Sequence, residues 1–311
     1  MRLNLLFCFL IINALACIHA QEPIKTFPAF EVLAEFDKVR DFTMDSSGKE
    51  AYVTIQSPTE EVSVISKLSK LNGEWKVQIA PFSGKHKDLE PFLSSDGLRL
   101  YFVSNRPLQD TVQTPKDYDI WYVERANQNE SWGNPINLGE PVNSKSNEFY
   151  PSLSKNGNLY FTSDREGSLG KDDIFFSKLT KDGYASPIGL DENINSSGFE
   201  YNAYISQDES YLLFGGYRRD DGLGSGDIYI SYHDENGNWS KATPLPASIN
   251  SKYMDYCPFV DEKNKQLYFT SRRDVLPSSS ITSLQELKGY LNSYQNGSSR
   301  IYKASFITSE F

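Results

Sequence analysis

From Glu148 to Phe175 short apolar runs alternate with polar turns: EFYPSLSKNGNLYFTSDREGSLGKDDIF. Tyr150 to Leu153 reads as a β-strand, Asn156-Gly157 as a tight turn, and Tyr160-Phe161 as the middle of a second strand. A polar loop follows, and a third strand opens at Asp173-Ile174-Phe175. The same order returns at Asp88 to Trp121, Glu200 to Tyr229 and Asp255 to Tyr302, with a degenerate copy at Val39 to Ile65. Trp132, Tyr184 and Trp239 each mark a fourth strand. Repetition at a period of roughly 50–60 residues, with four strands per unit, predicts sheets arranged around an axis. The expected fold is all-β, a single β-propeller of four-stranded antiparallel blades. Five blades fit the count, or six if a degenerate unit lies in the spare segments.

The two ends of the pattern are unequal. The fifth unit lacks its fourth strand, while residues 22–38 carry one surplus β-prone stretch, Phe30 to Phe36. Pairing the two closes the ring and removes two open sheet edges. Two long loops, Pro107 to Tyr118 and Asp274 to Ser299, both fall between the second and third strands of a unit. The latter holds a helical spacing of Leu284, Leu287 and Leu291 within residues 281–294. Insertions at one corner of a propeller gather on one face, either as a binding surface or as tolerated decoration.

Charged residues recur in register with the strands. Asp88, Glu148, Glu200 and Asp255 each stand three residues before an aligned Pro or Ala, at the entrance to a first strand. First strands are innermost in a propeller, so these carboxylates form a candidate binding ring at one mouth of the central channel. The other reading is structural: an ion pair with the equally periodic Arg106, Arg165, Arg218 and Arg273, since Arg clamps carboxylates through paired hydrogen bonds. Both columns are missing from the first unit, where Val39 and Ser57 stand instead. Asp119, Asp173 and Asp227 compete for the same guanidinium groups. Asn143-Ser144, Asn195-Ser196 and Asn250-Ser251 precede the acids and read as corners between blades.

The units DLEPFLSSDGLRLYFVSNR and EFYPSLSKNGNLYFTSDR, each followed by an Asp-Ile-aromatic strand, resemble the WD40-like β-propeller repeat of TolB-type exported bacterial proteins. The resemblance runs from about Val39 to Tyr302. It implies an extracytoplasmic propeller that docks other proteins near the cell envelope.

Composition narrows the partners. The 311 residues carry a net charge of −10, and no basic stripe offers a footprint for nucleic acid or an anionic membrane. Arg2, the apolar run Leu5 to Ile12 and Ile18-His19-Ala20 read as a signal peptide over residues 1–20, leaving a propeller domain over 21–311. Lipid attachment at Cys17, after Ala14-Leu15-Ala16, is the alternative. Either way the expectation is export, to the periplasm or beyond, without a transmembrane span. Cys8 and Cys17 lie in the leader, so Cys257 has no partner for a disulfide. His86 and His233 neither recur nor neighbour a Ser motif, so no metal cage, catalytic triad or cofactor is expected. The leading expectation is a monomeric, non-enzymatic scaffold that binds a protein or an envelope glycan. The alternative is a secreted glycoside hydrolase drawing an acid pair from the axial carboxylates.

Overall fold

The computed structural model describes residues 24–109 and 114–308. The proposed leader, with Cys17, lies outside the described residues. Five four-stranded antiparallel sheets follow one another along the chain. The first blade is Lys38–Met44, Glu50–Gln56, Ser63–Leu71 and Glu74–Ile79. The second is Asp88–Leu93, Arg99–Ser104, Asp119–Glu124 and Ile136–Asn137. The third, Glu148–Leu153, Leu159–Ser163, Asp173–Ser177 and Ile188–Gly189, carries a small extra hairpin at Leu179–Thr180 and Gly183–Tyr184. The fourth is Phe199–Ile205, Tyr211–Tyr217, Asp227–Tyr232 and Thr243–Pro244. In the fifth, Asp255–Asp261, Gln266–Ser271 and Arg300–Ser305 are completed by Thr26–Pro28 from the other end of the chain.

Apolar side chains that alternate along the strands weld neighbouring blades together. Ile65, Ile120, Ile174, Ile228 and Ile301, one in each third strand, are all fully buried. So are Val53, Phe102, Phe161, Phe214 and Phe269 in the second strands. These columns are the repeated apolar positions of the sequence, turned into the seams of a ring.

The fifth blade closes as expected, although the strand lies earlier than its β-propensity suggests. Thr26 to Pro28 pairs with Tyr302 to Ala304, whereas Glu31–Leu33 turns into a 3-10 helix. Three-residue spacing puts Phe30 and Leu33 on one side of that turn, where both are buried. Phe30 packs at 5.0 Å from Phe42 and edge-on to Trp75, so packing outweighs local strand preference. The helix expected in the long fifth-blade loop is present at Leu284–Leu291, capped reciprocally by Ser283 and Glu286. None of its residues is buried. Among the described residues no helix is long and apolar enough to cross a membrane.

Closure makes a prediction. Deleting residues 24–33 removes the outer strand of the fifth blade and leaves Tyr302 to Ala304 on an open edge. The truncated chain should aggregate and lose its single cooperative transition in urea, and Phe30→Ala should cost about 3–5 kcal/mol. A truncated protein with the parent's midpoint and slope would refute this closure.

Candidate functional site

The periodic acids form closed clamps where each inner strand begins. In the second blade Arg106 Nη2 donates to Asp88 Oδ1 (2.6 Å), its Nε to Ser104 Oγ (2.8 Å), and Nη2 also to the carbonyl of Phe82 (3.2 Å). In the third, Arg165 Nη2 donates to Glu148 Oε1 (2.7 Å) and to the Val142 carbonyl, while Nε reaches Ser163 Oγ. In the fifth, Arg273 Nη2 donates to Asp255 Oδ1 (2.8 Å) and to the Ile249 carbonyl (2.6 Å). Phe82, Val142 and Ile249 all belong to the linker arriving from the preceding blade. The Ser of that linker completes each clamp: Ser83, Ser144 and Ser251 donate their hydroxyls to Asp88, Glu148 and Asp255.

The fourth blade follows the same plan with a different arginine. Glu200 is held by Arg219 Nη1 at 2.8 Å, not by Arg218, and Ser196 donates to it at 2.6 Å. Here Gly216 replaces the second-strand Ser and the loop is one residue longer than in the third blade, with Arg218 exposed at φ 61°. A Cβ on Gly216 would lie 2.7 Å from Arg219 Cδ, so a glycine gives Arg219 its path. All four acids are fully buried, and none lines a central opening.

Asp119, Asp173 and Asp227 do not compete for these arginines. Asp173 accepts from Leu169 and Gly170 N–H, Asp227 from Leu223 and Gly224 N–H, and Asp119 meets Lys116 and Asn137. They pin the loops leading into the third strands. The Asn column reaches the same strands: Asn143, Asn195 and Asn250 each accept the N–H and bond the carbonyl of Ile120, Ile174 and Ile228.

The axis is built from residues that the periodic columns do not mark. Each inner strand shifts register at one bulge, and the residue there is left-handed and not glycine: Asp41, Glu90, Tyr150, Asn202 and Cys257, with φ between 47° and 60°. Each such residue costs about 1 kcal/mol, and contacts between blades hold it. Asp41 N–H donates to Thr270 and Glu90 N–H to Thr54, each on the preceding blade around the ring. Cys257 donates its thiol hydrogen to Asp41 Oδ1 at 2.8 Å, and Tyr150 OH donates to the Pro258 carbonyl. These residues escape a column search because five different side chains share one backbone position. The signal available was the Pro that follows Glu90, Tyr150 and Cys257.

Above this plug, on the face where the second-to-third-strand loops lie, a cavity of about 510 Å³ opens on the axis. Glu90, only 4% exposed, lies at its buried side with Arg40, while Thr162, Asp172, Tyr201 and Tyr256 help to wall it. Arg40 is shared: Nε donates to Asp41 Oδ1 and Nη2 to Glu90 Oε1, both at 2.8 Å. Tyr150 N–H donates to Glu90 Oε2 at 2.7 Å. Burial pushes the Glu90 carboxyl up to about 7, against the pull of Arg40 and the Tyr150 N–H. Burial, then repulsion from Asp164 and Asp173, also raises Asp172. The buried Asp41 Oδ2, Thr162 Oγ1 and Tyr201 OH have no hydrogen-bond partner among the described residues. Among the described residues no group of three or more His, Cys, Asp or Glu is arranged to hold a metal ion. The cavity thus brings together a buried carboxyl raised by its burial, a second raised carboxyl and aromatic walls.

Comparison of the chain with protein-family models and with curated proteins gives no match. Solved structures do match along nearly the whole chain. An α-L-arabinofuranosidase from Podospora anserina is 11% identical over 91% of this chain and 96% of its own, with a TM-score of 0.52. An endo-arabinase from Bacteroides thetaiotaomicron is 15% identical over 92% and 98%, with a TM-score of 0.51. An arabinanase from Bacillus subtilis is 14% identical over 93% and 97%, with a TM-score of 0.50. At such identities the likeness establishes the five-bladed propeller. The TolB-type resemblance has no support from these comparisons beyond the propeller itself. The expectation of a non-enzymatic scaffold is corrected here. Solved structures that match nearly the whole chain include an arabinofuranosidase and arabinanases, which stand with the carbohydrate-active alternative. The acid pair which that alternative drew from the ring is corrected as well, because Asp88, Glu148, Glu200 and Asp255 are closed in clamps.

The clamps are testable apart from any ligand. Arg165→Ala and Arg219→Ala each leave a buried carboxylate without its cation, so each should lower unfolding free energy by about 3 kcal/mol. Arg218→Ala should change it by less than about 0.5 kcal/mol. Equal losses at Arg218 and Arg219 in chemical denaturation would overturn the assignment.

Proposed function

We propose that this chain is a carbohydrate-active enzyme that hydrolyses a glycosidic bond in the axial cavity, with Glu90 as general acid and Asp172 as its partner carboxylate. The observation that carries the proposal is Glu90 itself: a carboxyl raised by burial beside an open cavity whose lining also holds a second raised carboxyl, Asp172. Two carboxyls with different surroundings are what glycoside hydrolysis needs, one to protonate the leaving oxygen and one to activate water or attack. The fold neighbours named as arabinofuranosidase and arabinanases support trying arabinose-containing substrates first.

Arg40 gives Glu90 a way to take its proton. In the charged form Arg40 Nη2 holds Glu90 Oε1. When that oxygen is protonated the guanidinium has a second acceptor in Asp41, whose Oδ2 lacks a partner. Tyr256, under the Arg40 guanidinium at 5.4 Å, and Tyr201 give the cavity an aromatic wall for the sugar. Export through the leader at residues 1–20 would bring this site to polysaccharide outside the cytoplasm.

Release of reducing sugar from arabinan and release of nitrophenol from 4-nitrophenyl α-L-arabinofuranoside test the reading. Because Glu90 acts in its protonated form, kcat/KM should fall as pH rises through about 7. Glu90→Gln should cut kcat by about 10²-fold or more while the fold persists, and Asp172→Asn should do likewise. A Glu90→Gln protein as active as the parent rejects the assignment. Absence of hydrolysis across arabinose-, xylose- and glucose-based substrates rejects the function.

A further inference from the structure

A second cavity lies far from the axis, on the opposite face, between the second and third blades. It measures about 670 Å³ and is larger than the axial one. Its walls come from the turn-side ends of the two sheets and from the small third-blade hairpin. Tyr101, Tyr122 and Tyr184 supply aromatic surface, with the Tyr101 and Tyr122 rings 5.7 Å apart. Tyr184 OH donates to the Gly157 carbonyl at 3.1 Å, which fixes that ring against the third-blade turn. Arg99 lies over the Tyr122 ring and donates to Glu124 Oε2 at 3.2 Å. Ser154, one of the lining residues, is only 4% exposed, and its buried Oγ has no hydrogen-bond partner among the described residues.

We propose that this cleft is a second saccharide-binding site, one that holds a neutral glycan chain and takes no part in the axial chemistry. Three properties select the ligand class. Aromatic faces accept the C–H faces of sugar rings, as amphipathic ring surfaces do in other wet sites. The lining carries both signs of charge, Asp96 and Glu124 with Arg99, Arg125 and Lys155, and Arg99 pairs with Glu124, so donors stand beside acceptors as hydroxyl groups require. An unpartnered buried hydroxyl costs free energy until something bonds to it, and a sugar hydroxyl can do so. The chain's net charge of −10 opposes acidic polysaccharides in addition.

Native-gel affinity electrophoresis of the full chain provides the test, in gels cast with arabinan, arabinoxylan or mixed-linkage β-glucan, and with polygalacturonate as the acidic counterpart. At least one neutral polymer should retard the protein and polygalacturonate should not. Ser154→Ala deletes a hydroxyl that makes no bond within the protein, so its melting temperature should match the parent while retardation weakens about threefold or more. Arg99→Ala, on a half-exposed side chain, should weaken it as well. Retardation by no neutral polymer, or retardation unchanged in both variants, would overturn the proposal. The outcome is independent of the axial reading: Glu90→Gln should cut hydrolysis about 10²-fold or more and leave retardation in place, while the cleft variants should weaken retardation and leave hydrolysis of a short soluble substrate in place.

Discussion

Four buried carboxylates, each where a blade begins, set the terms for the rest of the molecule. A charge removed from water must find donors or neutralise. Here the donors come from two places at once: an arginine at the end of the blade's own second strand, and a serine in the linker from the blade before. The arginine also grips a carbonyl of that linker. A linker cannot detach without stranding a charge, so each blade is tied to its predecessor by electrostatics as well as by apolar packing. Among the described residues no blade precedes the first, and there the acid is replaced by Val39. Its junction is sealed by Arg300, whose guanidinium donates to the carbonyls of Ala34 and Asp37 in the N-terminal turn. A cation gripping carbonyls substitutes for an anion gripping amides, and the ring closes.

Once the rim is fixed, the inner strands have latitude. Five left-handed bulges around the axis would be strained in an isolated sheet, since each residue but glycine is disfavoured there. Neighbouring blades hold them through Thr54 and Thr270, which accept the bulge N–H groups of Glu90 and Asp41. The backbone repeats five times while the side chains are Asp, Glu, Tyr, Asn and Cys. Asymmetry on a symmetric frame is how a repeat protein comes to have one site in place of five.

That contrast also explains what the sequence disclosed. Blades, closure and the acid–arginine columns were legible because burial and pairing demand the same residue type in every unit. Arg218 misled because adjacent arginines fill one aligned position, and only backbone geometry shows that the extra loop residue passes the task to Arg219. The stretch Phe30 to Phe36 misled because aromatic and branched residues favour strands, yet burying Phe30 and Leu33 together needs a tight turn. Glu90 stayed hidden for a deeper reason. The Pro that follows it marks only the bulge, while its environment is assembled from the first, second and third blades. The interblade cleft is invisible for the same cause, because its two walls lie on separate repeats.

Charge counting then separates the structural carboxylates from the one suited to chemistry. Burial raises the Glu148 carboxyl too, but it has a serine hydroxyl, a backbone N–H and a guanidinium of its own pulling it back, and the balance is one cation to one anion. At the axis Arg40 serves both Asp41 and Glu90, so two carboxylates share one positive charge. Keeping both ionised in a desolvated site leaves an uncompensated negative charge, and a proton is the smallest ion that can balance it. Coulombic repulsion from Asp41 adds to burial in raising Glu90, which is the direction such a deficit requires. The clamps are charge-matched and rigid, whereas the axis is one cation short and open to a cavity. A proton that completes a charge balance beside solvent-accessible space is one that a bound substrate can take.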